Sequence, residues 1–288
     1  MQICLEQRPA DTIPTNTVVR APNWYRKATW KNRLLPDFIV IGAQKSGTTS
    51  LFDYLRQHHQ LLPSVAKAVH YFDGGLDPRV NNFAKGETWY RSHFPLKYSA
   101  RAGQKTFEAT PLYMFHPFAA ERIHDLVPDT KIIAMMRNPT ERAISHYFHE
   151  RRKPDREPLS IYDAFRQEER RLANAVRLEQ YSCHSFIHHS YKSRGRYEEQ
   201  IVRYLRYFPM KNIHMVRSED LFAKPERILR EVFEFLGVDP NVDLRSLHPR
   251  NVAKNKETVS QEIREYLDDY FQLHNRALYD LVGRDFGW

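Results

Sequence analysis

A lysine, a glycine and several hydroxyl-bearing side chains stand close together after a short apolar run. The run 38–41 predicts a buried strand, and the apolar spacing after Thr48 predicts the start of a helix. Backbone N–H groups at such a junction point inward, and the helix dipole favours an anion there. Lys45 adds a mobile positive charge. Further donors are supplied by three hydroxyls, those of Ser46, Thr48 and Thr49. The pattern therefore predicts a binding site for a phosphate or a similar anion.

A second anion-binding pattern follows the apolar run 131–136, which predicts another buried strand. Arg137 comes directly after this run, and Pro139 suits the first turn of a helix that carries Ser145 about two turns on. Arginine offers a planar fork that matches a phosphate, and serine adds a hydroxyl donor. P-loop kinases and NTPases hold Mg²⁺ with an aspartate at a strand end, whereas an arginine there repels a metal. The pattern therefore argues against such a phosphotransferase.

The stretch 44–51, which reads Gln-Lys-Ser-Gly-Thr-Thr-Ser-Leu, resembles the 5′-phosphosulfate loop of the sulfotransferase family, whose donor is PAPS (3′-phosphoadenylyl sulfate). It differs from a Walker A loop, in which Gly-Lys-Ser/Thr follows a longer loop. The segment 137–145 is similar to the 3′-phosphate site of the same family. The resemblance extends over roughly residues 36–288 and is closest to the glycosaminoglycan (heparan sulfate)-type and bacterial sulfotransferase domains.

The resemblance implies which residues bind PAPS and its product PAP (adenosine 3′,5′-bisphosphate), and it implies no metal. These residues are Lys45, Ser46, Gly47, Thr48, Thr49, Ser50, Arg137, Ser145, Arg196 and Lys254. Lys254 stands where relatives have a basic loop that closes over the cofactor. A solvated run of charges is the alternative interpretation of that loop.

The segment 67–73, which reads Lys-Ala-Val-His-Tyr-Phe-Asp, resembles Lys-Glu-Val-His-Phe-Phe-Asp of glycosaminoglycan-type sulfotransferases. In that group the glutamate is the catalytic base, and the histidine and aspartate help to position the acceptor. By resemblance His70 and Asp73 take these acceptor-side roles. Ala68 occupies the position of the base, and a methyl group cannot take a proton. Either His70 acts as the base, or substitution has removed the base and left an impaired enzyme. We favour the second explanation because the rest of the segment is intact.

The segment that begins at Glu108, Glu-Ala-Thr-Pro, resembles Glu-Lys-Thr-Pro of the family. Ala109 replaces the lysine, which weakens the case for a heparan-like acceptor. Glu108 either contacts the acceptor or pairs with a nearby cation, and the sequence favours neither. The predicted acceptor is a molecule with a hydroxyl or amine, such as a glycan or a small natural product.

Composition limits the choice of partner and compartment. Lysine and arginine number 44 against 35 acidic residues, a net charge of +9 that favours an anionic partner without identifying it. We predict no nucleic acid among the partners. Cys4 and Cys183 are the two cysteines, which favours a reduced setting over a disulfide framework, and no Cys/His spacing resembles a zinc site. No run reaches the length of a membrane span. We therefore predict a soluble cytoplasmic enzyme, with a lumenal domain removed from a Golgi anchor as the alternative.

Strands alternating with helices predict an α/β fold with a central parallel sheet and helices on both faces. We expect an N-terminal arm over 1–32 and a single domain over 33–288, and the resemblance implies a three-layer, P-loop-NTPase-like sulfotransferase fold. The predicted strands are 38–41, 106–111, 131–136 and 212–216, and the predicted helices are 48–57, 118–126, 139–151, 161–177, 198–208, 225–236 and one that begins after Ser260. The last of these has a predicted buried stripe of Ile263, Leu267, Phe271, Ala277 and Leu278.

The sequence as a whole predicts a PAPS-dependent sulfotransferase that moves the sulfuryl group to an acceptor hydroxyl or amine by in-line attack. Lys45 is expected to stabilise the charge that develops as PAP departs. The catalytic residues are expected to be Lys45 and His70, together with the position of Ala68. Two alternatives are a nucleotide-dependent phosphotransferase and a non-catalytic polyanion-binding module.

Overall fold

The computed structural model of the chain describes residues 21–250 and 258–288. The strands in this part are β1 (Phe38–Gly42), β2 (Leu61–Pro63), β3 (Lys105–Ala109), β4 (Lys131–Met136) and β5 (Ile213–Arg217). The helices are α1 (Asn23–Ala28), α2 (Thr48–Leu55), α3 (Gly86–Arg91), α4 (Ala119–Leu126), α5 (Pro139–Arg151), α6 (Ile161–Arg166), α7 (Glu168–Arg177), α8 (His184–His188), α9 (Tyr197–Leu205), α10 (Ser218–Ala223), α11 (Pro225–Leu236) and α12 (Gln261–Val282).

The strands form one parallel sheet in the order β2-β3-β1-β4-β5. From β1 the chain passes to β2 and β3 on one side, and then to β4 and β5 on the other. Where the direction of winding reverses, the loops after neighbouring strands separate and leave a crevice at the carboxyl edge of the sheet. The loop that carries Lys45 follows β1, and Arg137 follows β4. Both predicted anion sites therefore lie at this edge.

The central strand β1 is apolar on both faces because helices cover both sides of the sheet. Ile39 and Ile41 belong to an apolar cluster with side chains of α4, α9 and α12. Phe38 and Val40 belong to a second cluster with side chains of α2 and α11. Successive side chains of a strand point to opposite faces, so this alternation produces the three layers. The predicted α/β fold is confirmed.

Two helices have the bounds that their end signals predict. In α5, Pro139 occupies the first turn and the Asn138 side chain accepts a hydrogen bond from the Glu141 N–H. In α11, Pro225 occupies the first turn, and Gly237 ends the helix with a left-handed φ of 74°. Because of these local signals, α5 begins two residues after Arg137.

The predicted continuous helix 161–177 is wrong, since α6 ends and α7 begins around Gln167. The next residue, Glu168, is fully buried, and its carboxylate accepts hydrogen bonds from the backbone N–H groups of Lys192 and Ser193. This contact places an acidic side chain in the interior of the protein. An unbroken, charged surface helix would instead leave that side chain exposed to solvent. The N-terminal cap is as predicted, because Ser160 accepts from the Asp163 N–H.

Two further expectations differ from the structure. The predicted strands do not include the short edge strand β2, which tolerates Pro63 because an edge strand needs fewer ladder bonds. In α12, Ala277 is exposed and Asn275 is buried instead. Asn275 is four residues after Phe271 and three before Leu278, and this spacing keeps all three on one helical face.

Part of the predicted N-terminal arm, 1–32, lies among the described residues. Its second half forms α1, and the Arg26 Nε donates to the Ser92 carbonyl oxygen at 2.5 Å. Arg33 donates to the carbonyl oxygen of Phe94 at 2.7 Å. These bonds attach the segment 23–33 to the end of α3, and the division into an arm and a domain stays a prediction.

Candidate functional site

The loop between β1 and α2 adopts a conformation that requires glycine at one position. Gly47 has a φ of 90° directly before α2, and Lys45 has a φ of 72°. A Cβ added at Gly47 would lie 2.7 Å from the Phe222 ring and 2.8 Å from the Met135 methyl. Neighbouring side chains therefore close tightly around the turn. This turn directs the backbone N–H groups of the first α2 residues towards the crevice.

The two predicted anion segments meet at Lys45 and Arg137. The Arg137 Nη1 donates to the Lys45 carbonyl oxygen at 3.4 Å. Burial, followed by the positive charges of Arg152, Arg137 and Lys153, lowers the pKa of Lys45 to about 8. A cation surrounded by cations is costly without an anion, so this group of side chains suits a negatively charged ligand.

Arg137 is held from two directions. The Tyr197 hydroxyl donates to the Arg137 carbonyl oxygen at 2.9 Å. The Arg137 Nη2 lies 3.6 Å from the Glu141 carboxylate, one turn into α5. Ser145 follows one turn further along α5 and is partly exposed. The guanidinium and the Ser145 hydroxyl thus lie along the same helix, as the sequence predicts.

Arg196 lies beside this second anion segment, directly before α9. Its Nη1 is 3.0 Å from the Glu199 carboxylate. A Cβ on the preceding Gly195 would lie 2.6 Å from the Phe271 ring and 3.0 Å from Pro139. The turn that carries Arg196 therefore packs against the start of α5, although its side chain is engaged with Glu199.

The remaining residues of the loop differ in what their hydroxyls face. Ser46 is fully buried, and Thr48 is 4% exposed. Ser50 is also fully buried, and its hydroxyl accepts a hydrogen bond from the Arg250 N–H at 2.8 Å. Ser50 therefore attaches the chain that leads into segment 251–257 to α2. Lys254 lies outside the described residues.

His70 and Asp73 form a pair near the start of an open cleft. The His70 Nδ1 lies 2.7 Å from the Asp73 Oδ2, and Asp73 is buried while His70 is partly exposed. A carboxylate at this distance accepts the Nδ1 proton and leaves Nε2 as the acceptor nitrogen. His70 has a left-handed φ of 53°. The pair has the components of a histidine base and its orienting carboxylate.

Ala68 lies on the same segment, two residues before His70, and is partly exposed. The backbone around it is fixed, because the Lys67 carbonyl oxygen accepts from the Ala109 N–H at 3.2 Å. The Val69 N–H donates to the Thr110 hydroxyl at 3.1 Å. Ala68, the predicted position of the base, therefore has a fixed backbone and no titratable side chain. Its equivalence to the family's base stays a prediction.

Glu108 does not match either predicted role. It is fully buried, and its carboxylate accepts hydrogen bonds from three hydroxyls rather than from a cation. The donors are Tyr90 at 2.5 Å, Thr110 at 2.7 Å and Tyr113 at 3.3 Å. Burial raises the pKa of Glu108 to about 7 against the opposing effect of these hydrogen bonds. The predictions that Glu108 contacts the acceptor or pairs with a cation are therefore both wrong.

Sequence reasoning missed a buried arginine behind the first anion loop. Arg194 is 2% exposed, and its Nη1 donates to the Gln44 side-chain oxygen, 150 residues away in the chain. Its other guanidinium nitrogen atoms bond Ser190 and two carbonyl oxygens at the end of α8. Arg194 lies two residues before Arg196, but no local pattern in the sequence indicates which loop it reaches.

Sequence reasoning also missed Glu150, a buried carboxylate on α5 close to Lys45. Burial raises its pKa, but hydrogen bonds with His188 and Arg156 outweigh this effect and lower the pKa to about 2. The Glu150 Oε2 lies 3.1 Å from the Arg156 Nη1 and 3.3 Å from the His188 Nδ1. Glu150 thereby joins the surroundings of Lys45 to α8.

An open cleft of about 540 Å³ lies between the loop after Asp73 and α8. Gly75 and Asn82 line one side, and both contact the His70–Asp73 pair, since the Gly75 N–H donates to Asp73 and the Asn82 amide donates to the His70 carbonyl oxygen. Its other side includes Arg156, His184 and His188. The cleft therefore adjoins the loop that supports the pair, although neither His70 nor Asp73 lines it.

Within 21–250 and 258–288, the side chains of Glu198, Glu199 and His274 place possible metal-ligand atoms within 4.8 Å of one another. The His274 Nδ1 already pairs with the Glu198 carboxylate at 2.5 Å. The expectation of a metal-free enzyme stays a prediction. In the same described ranges, no helix combines the length and apolar character needed to cross a bilayer. The predicted cytoplasmic location is untested.

Comparisons with known proteins point to one family. The family model of the sulfotransferase domain matches residues 35–267. The membrane-associated sulfotransferase kil1 of Dictyostelium discoideum is 29% identical over 93% of this chain and 69% of its own length. The heparan sulfate glucosamine 3-O-sulfotransferase 6 of Mus musculus is 28% identical over 97% of this chain and 81% of its own. A crystal structure of a sulfotransferase from Alicyclobacillus acidocaldarius has a TM-score of 0.71 and 28% identity, covering 88% of this chain and 98% of that one.

Proposed function

The chain belongs to the sulfotransferase domain family, and we propose that PAPS is its sulfuryl donor and PAP its nucleotide product. The observation that carries this proposal is the contact between the two anion segments, in which the Arg137 guanidinium bonds the Lys45 carbonyl oxygen at 3.4 Å. A nucleotide with phosphates on its 5′ and 3′ positions needs two such positive sites at one edge of the sheet. The lowered pKa of Lys45 supports the same proposal, because burial and three nearby cations disfavour its charged form and a bound anion would restore that form.

Each anion segment takes one end of the nucleotide. The backbone N–H groups and hydroxyls from Ser46 to Thr49 hold the 5′-phosphate at the start of α2. Arg137 and Ser145 hold the 3′-phosphate, which ATP lacks, and so favour PAPS over ATP. Lys45 donates to the oxygen that links the sulfuryl group to the phosphate, where negative charge increases during transfer. Arg196 and Lys254 remain further candidates for nucleotide contacts.

The proton of the acceptor leaves on the His70 side of the crevice. Asp73 accepts the Nδ1 hydrogen bond of His70 and so presents Nε2 to an acceptor hydroxyl or amine. His70 is the base in this chain if it supports turnover unaided, and Ala68 marks the lost base if a carboxylate there restores a faster rate. Introducing a carboxylate at residue 68 separates these two alternatives.

A glycan is the acceptor class that we favour, and we infer that it binds in the open cleft next to the loop that follows Asp73. The lining of this cleft includes the charged and polar side chains of Arg156 and His188 together with the apolar Leu76 and Val80. The charged and polar groups suit the hydroxyls and acidic groups of a sugar. The name of the mouse relative, a heparan sulfate glucosamine 3-O-sulfotransferase, supports the same class. A small natural product is the alternative.

A thermal-shift experiment with three ligands tests the donor. A ligand that binds the native state alone raises the unfolding temperature. PAP is expected to raise this temperature without Mg²⁺, whereas ATP with Mg²⁺ is expected to produce little change. A Mg²⁺-dependent effect of ATP with none from PAP would instead support a phosphotransferase. A salt-sensitive effect of heparin with no saturable effect of PAP would support a polyanion-binding module.

A further inference from the structure

The acceptor side of the site rests on a buried network that no known role of these residues explains. Its centre is Glu108, whose side chain is completely enclosed beneath the segment 67–73. A buried carboxylate persists in a protein interior only when hydrogen bonds replace its lost hydration. The three hydroxyls of Tyr90, Thr110 and Tyr113 do so here. The structural role of this carboxylate follows from the other groups that its hydroxyl partners bond.

Two of the three hydroxyls link Glu108 to the backbone beside His70. The Thr110 hydroxyl donates to the Glu108 Oε2 and accepts from the Val69 N–H at 3.1 Å and, more weakly, from the His70 N–H at 3.5 Å. The Tyr113 hydroxyl donates to Glu108 and accepts from the Tyr71 N–H at 2.9 Å. Because each hydroxyl has a single proton, a carboxylate that accepts that proton leaves the lone pairs free for the backbone.

His70 needs such support because its backbone is left-handed, with a φ of 53°. A non-glycine residue keeps this conformation only where the surrounding structure holds it. The other observed supports lie after His70, where the Asn82 amide bonds its carbonyl oxygen at 2.9 Å. The Thr110 and Tyr113 hydroxyls act instead on the N–H groups of residues 69–71. Together the two sets fix the His70 ring against Asp73.

We propose that Glu108 is a positioning residue that sets the place of His70 through the Thr110 and Tyr113 hydroxyls. It touches neither the donor nor the acceptor. This inference rests on the proposed role of His70 at the acceptor side, and it deepens that proposal. Tyr90 provides the internal comparison, since its hydroxyl contacts Glu108 without reaching the segment 67–73.

The test compares variants at buried residues. Some of them remove a hydroxyl that connects Glu108 to the backbone beside His70, and the others keep that connection. Thr110→Val and Tyr113→Phe each remove a hydroxyl that joins Glu108 to the backbone of 69–71. Thr110→Ser keeps the hydroxyl, and Tyr90→Phe removes one that joins Glu108 alone. The readout is the NMR resonance of the His70 Cε1–H in histidine-labelled protein saturated with PAP, assigned with His70→Gln. The PAP dissociation constant and the unfolding temperature are measured for every variant.

We expect Thr110→Val and Tyr113→Phe to shift or broaden the His70 resonance, while Thr110→Ser and Tyr90→Phe leave it near its wild-type position. PAP affinity is expected to be unchanged in all four, because the nucleotide segments lie after other strands. An unmoved His70 resonance in Thr110→Val and Tyr113→Phe, or an equal shift in Tyr90→Phe, would overturn the inference. If Thr110→Val does not fold, Tyr113→Phe against Tyr90→Phe still decides. Failure of wild-type PAP binding would instead count against the proposed function.

Discussion

Lys45 is the residue on which the chemistry depends most directly. Burial and three neighbouring cations hold its pKa near 8, lower than that of an ordinary lysine. The folded protein therefore disfavours the charged lysine, and a bound anion restores it. For the free enzyme, kcat/KM for PAPS is expected to fall as the pH rises through about 8, because the lysine loses its proton.

Replacing Lys45 separates catalysis from nucleotide binding. Lys45→Ala is expected to lower turnover by about 10²–10³-fold, since one donor to a developing negative charge is lost. PAP binding should largely survive, because the loop N–H groups and Arg137 remain. Lys153→Ala is the matched control, as it removes another lysine that acts on Lys45 only through its charge. Turnover and PAP titrations check the prediction, and equal losses of both in Lys45→Ala would contradict the assigned role.

Ala68 offers a test by gain of activity. Ala68→Glu should raise turnover if substitution has removed the base, because a carboxylate returns to the position that the family uses. Ala68→Gln has nearly the same shape without a proton acceptor and is expected to stay at the wild-type rate. Transfer to a verified acceptor is the measurement. An unchanged rate in Ala68→Glu, together with a large loss in His70→Gln, would identify His70 as the base.

Glu108 predicts a pH dependence of stability. Its pKa is raised from 4.5 to about 7 in the folded protein, so the native state binds this proton more tightly than the unfolded state. The unfolding free energy of the wild type should therefore fall as the pH rises from about 5 to about 8, relative to Glu108→Gln, by roughly 3 kcal/mol. Urea unfolding of both proteins at the two pH values checks this. A difference between them that does not change with pH would contradict the prediction.

The loop between β1 and α2 is the element on which nucleotide binding depends. Gly47→Ala is expected to abolish PAP binding, since the added methyl meets Phe222 and Met135 and the left-handed backbone costs roughly 1–2 kcal/mol more. Gly86→Ala is the matched control, because Gly86 has a φ of 72° and open space around it. Both variants should lose stability in thermal unfolding. Retained PAP binding in Gly47→Ala would mean that the loop does not hold the nucleotide.

At the scale of elements, local signals in the chain predict much of the fold. The bounds of α5 and α11 follow from Pro139, Pro225 and Gly237, whose effects are confined to one turn. The break between α6 and α7 could not be predicted, because its cause is a contact of Glu168 with residues 24 and 25 positions away. Long-range contacts of this kind produce no periodic pattern of residues in the sequence.

The candidate site, like the fold, has a part that could be predicted from the sequence and a part that could not. The places of Lys45 and Arg137 in the fold could be predicted. Lys45 lies three residues after the end of β1, Arg137 directly follows β4, and parallel strands end at one edge of the sheet. The contact between Arg194 and Gln44, and the network around Glu108, depend on which loops the tertiary fold brings together. The two roles predicted for Glu108, contact with the acceptor and pairing with a cation, therefore do not include the buried network in which the fold places it.

At the scale of the whole molecule, the order β2-β3-β1-β4-β5 assigns the two substrates to two sides of one edge. The segments after β1 and β4 supply Lys45 and Arg137, the proposed nucleotide contacts. The segments after β2 and β3 supply His70 and its buried support, on the proposed acceptor side. In the proposed reaction the sulfuryl group passes between the two sides near the end of β1, where the winding of the sheet reverses.

A crystal structure of the protein with PAP tests this account most directly. The account predicts the 5′-phosphate on the backbone N–H groups after Lys45 and the 3′-phosphate on Arg137 and Ser145, with the side facing His70 left open. A nucleotide bound at another surface, or bound with Arg137 turned away from its 3′-phosphate, would contradict the central claim.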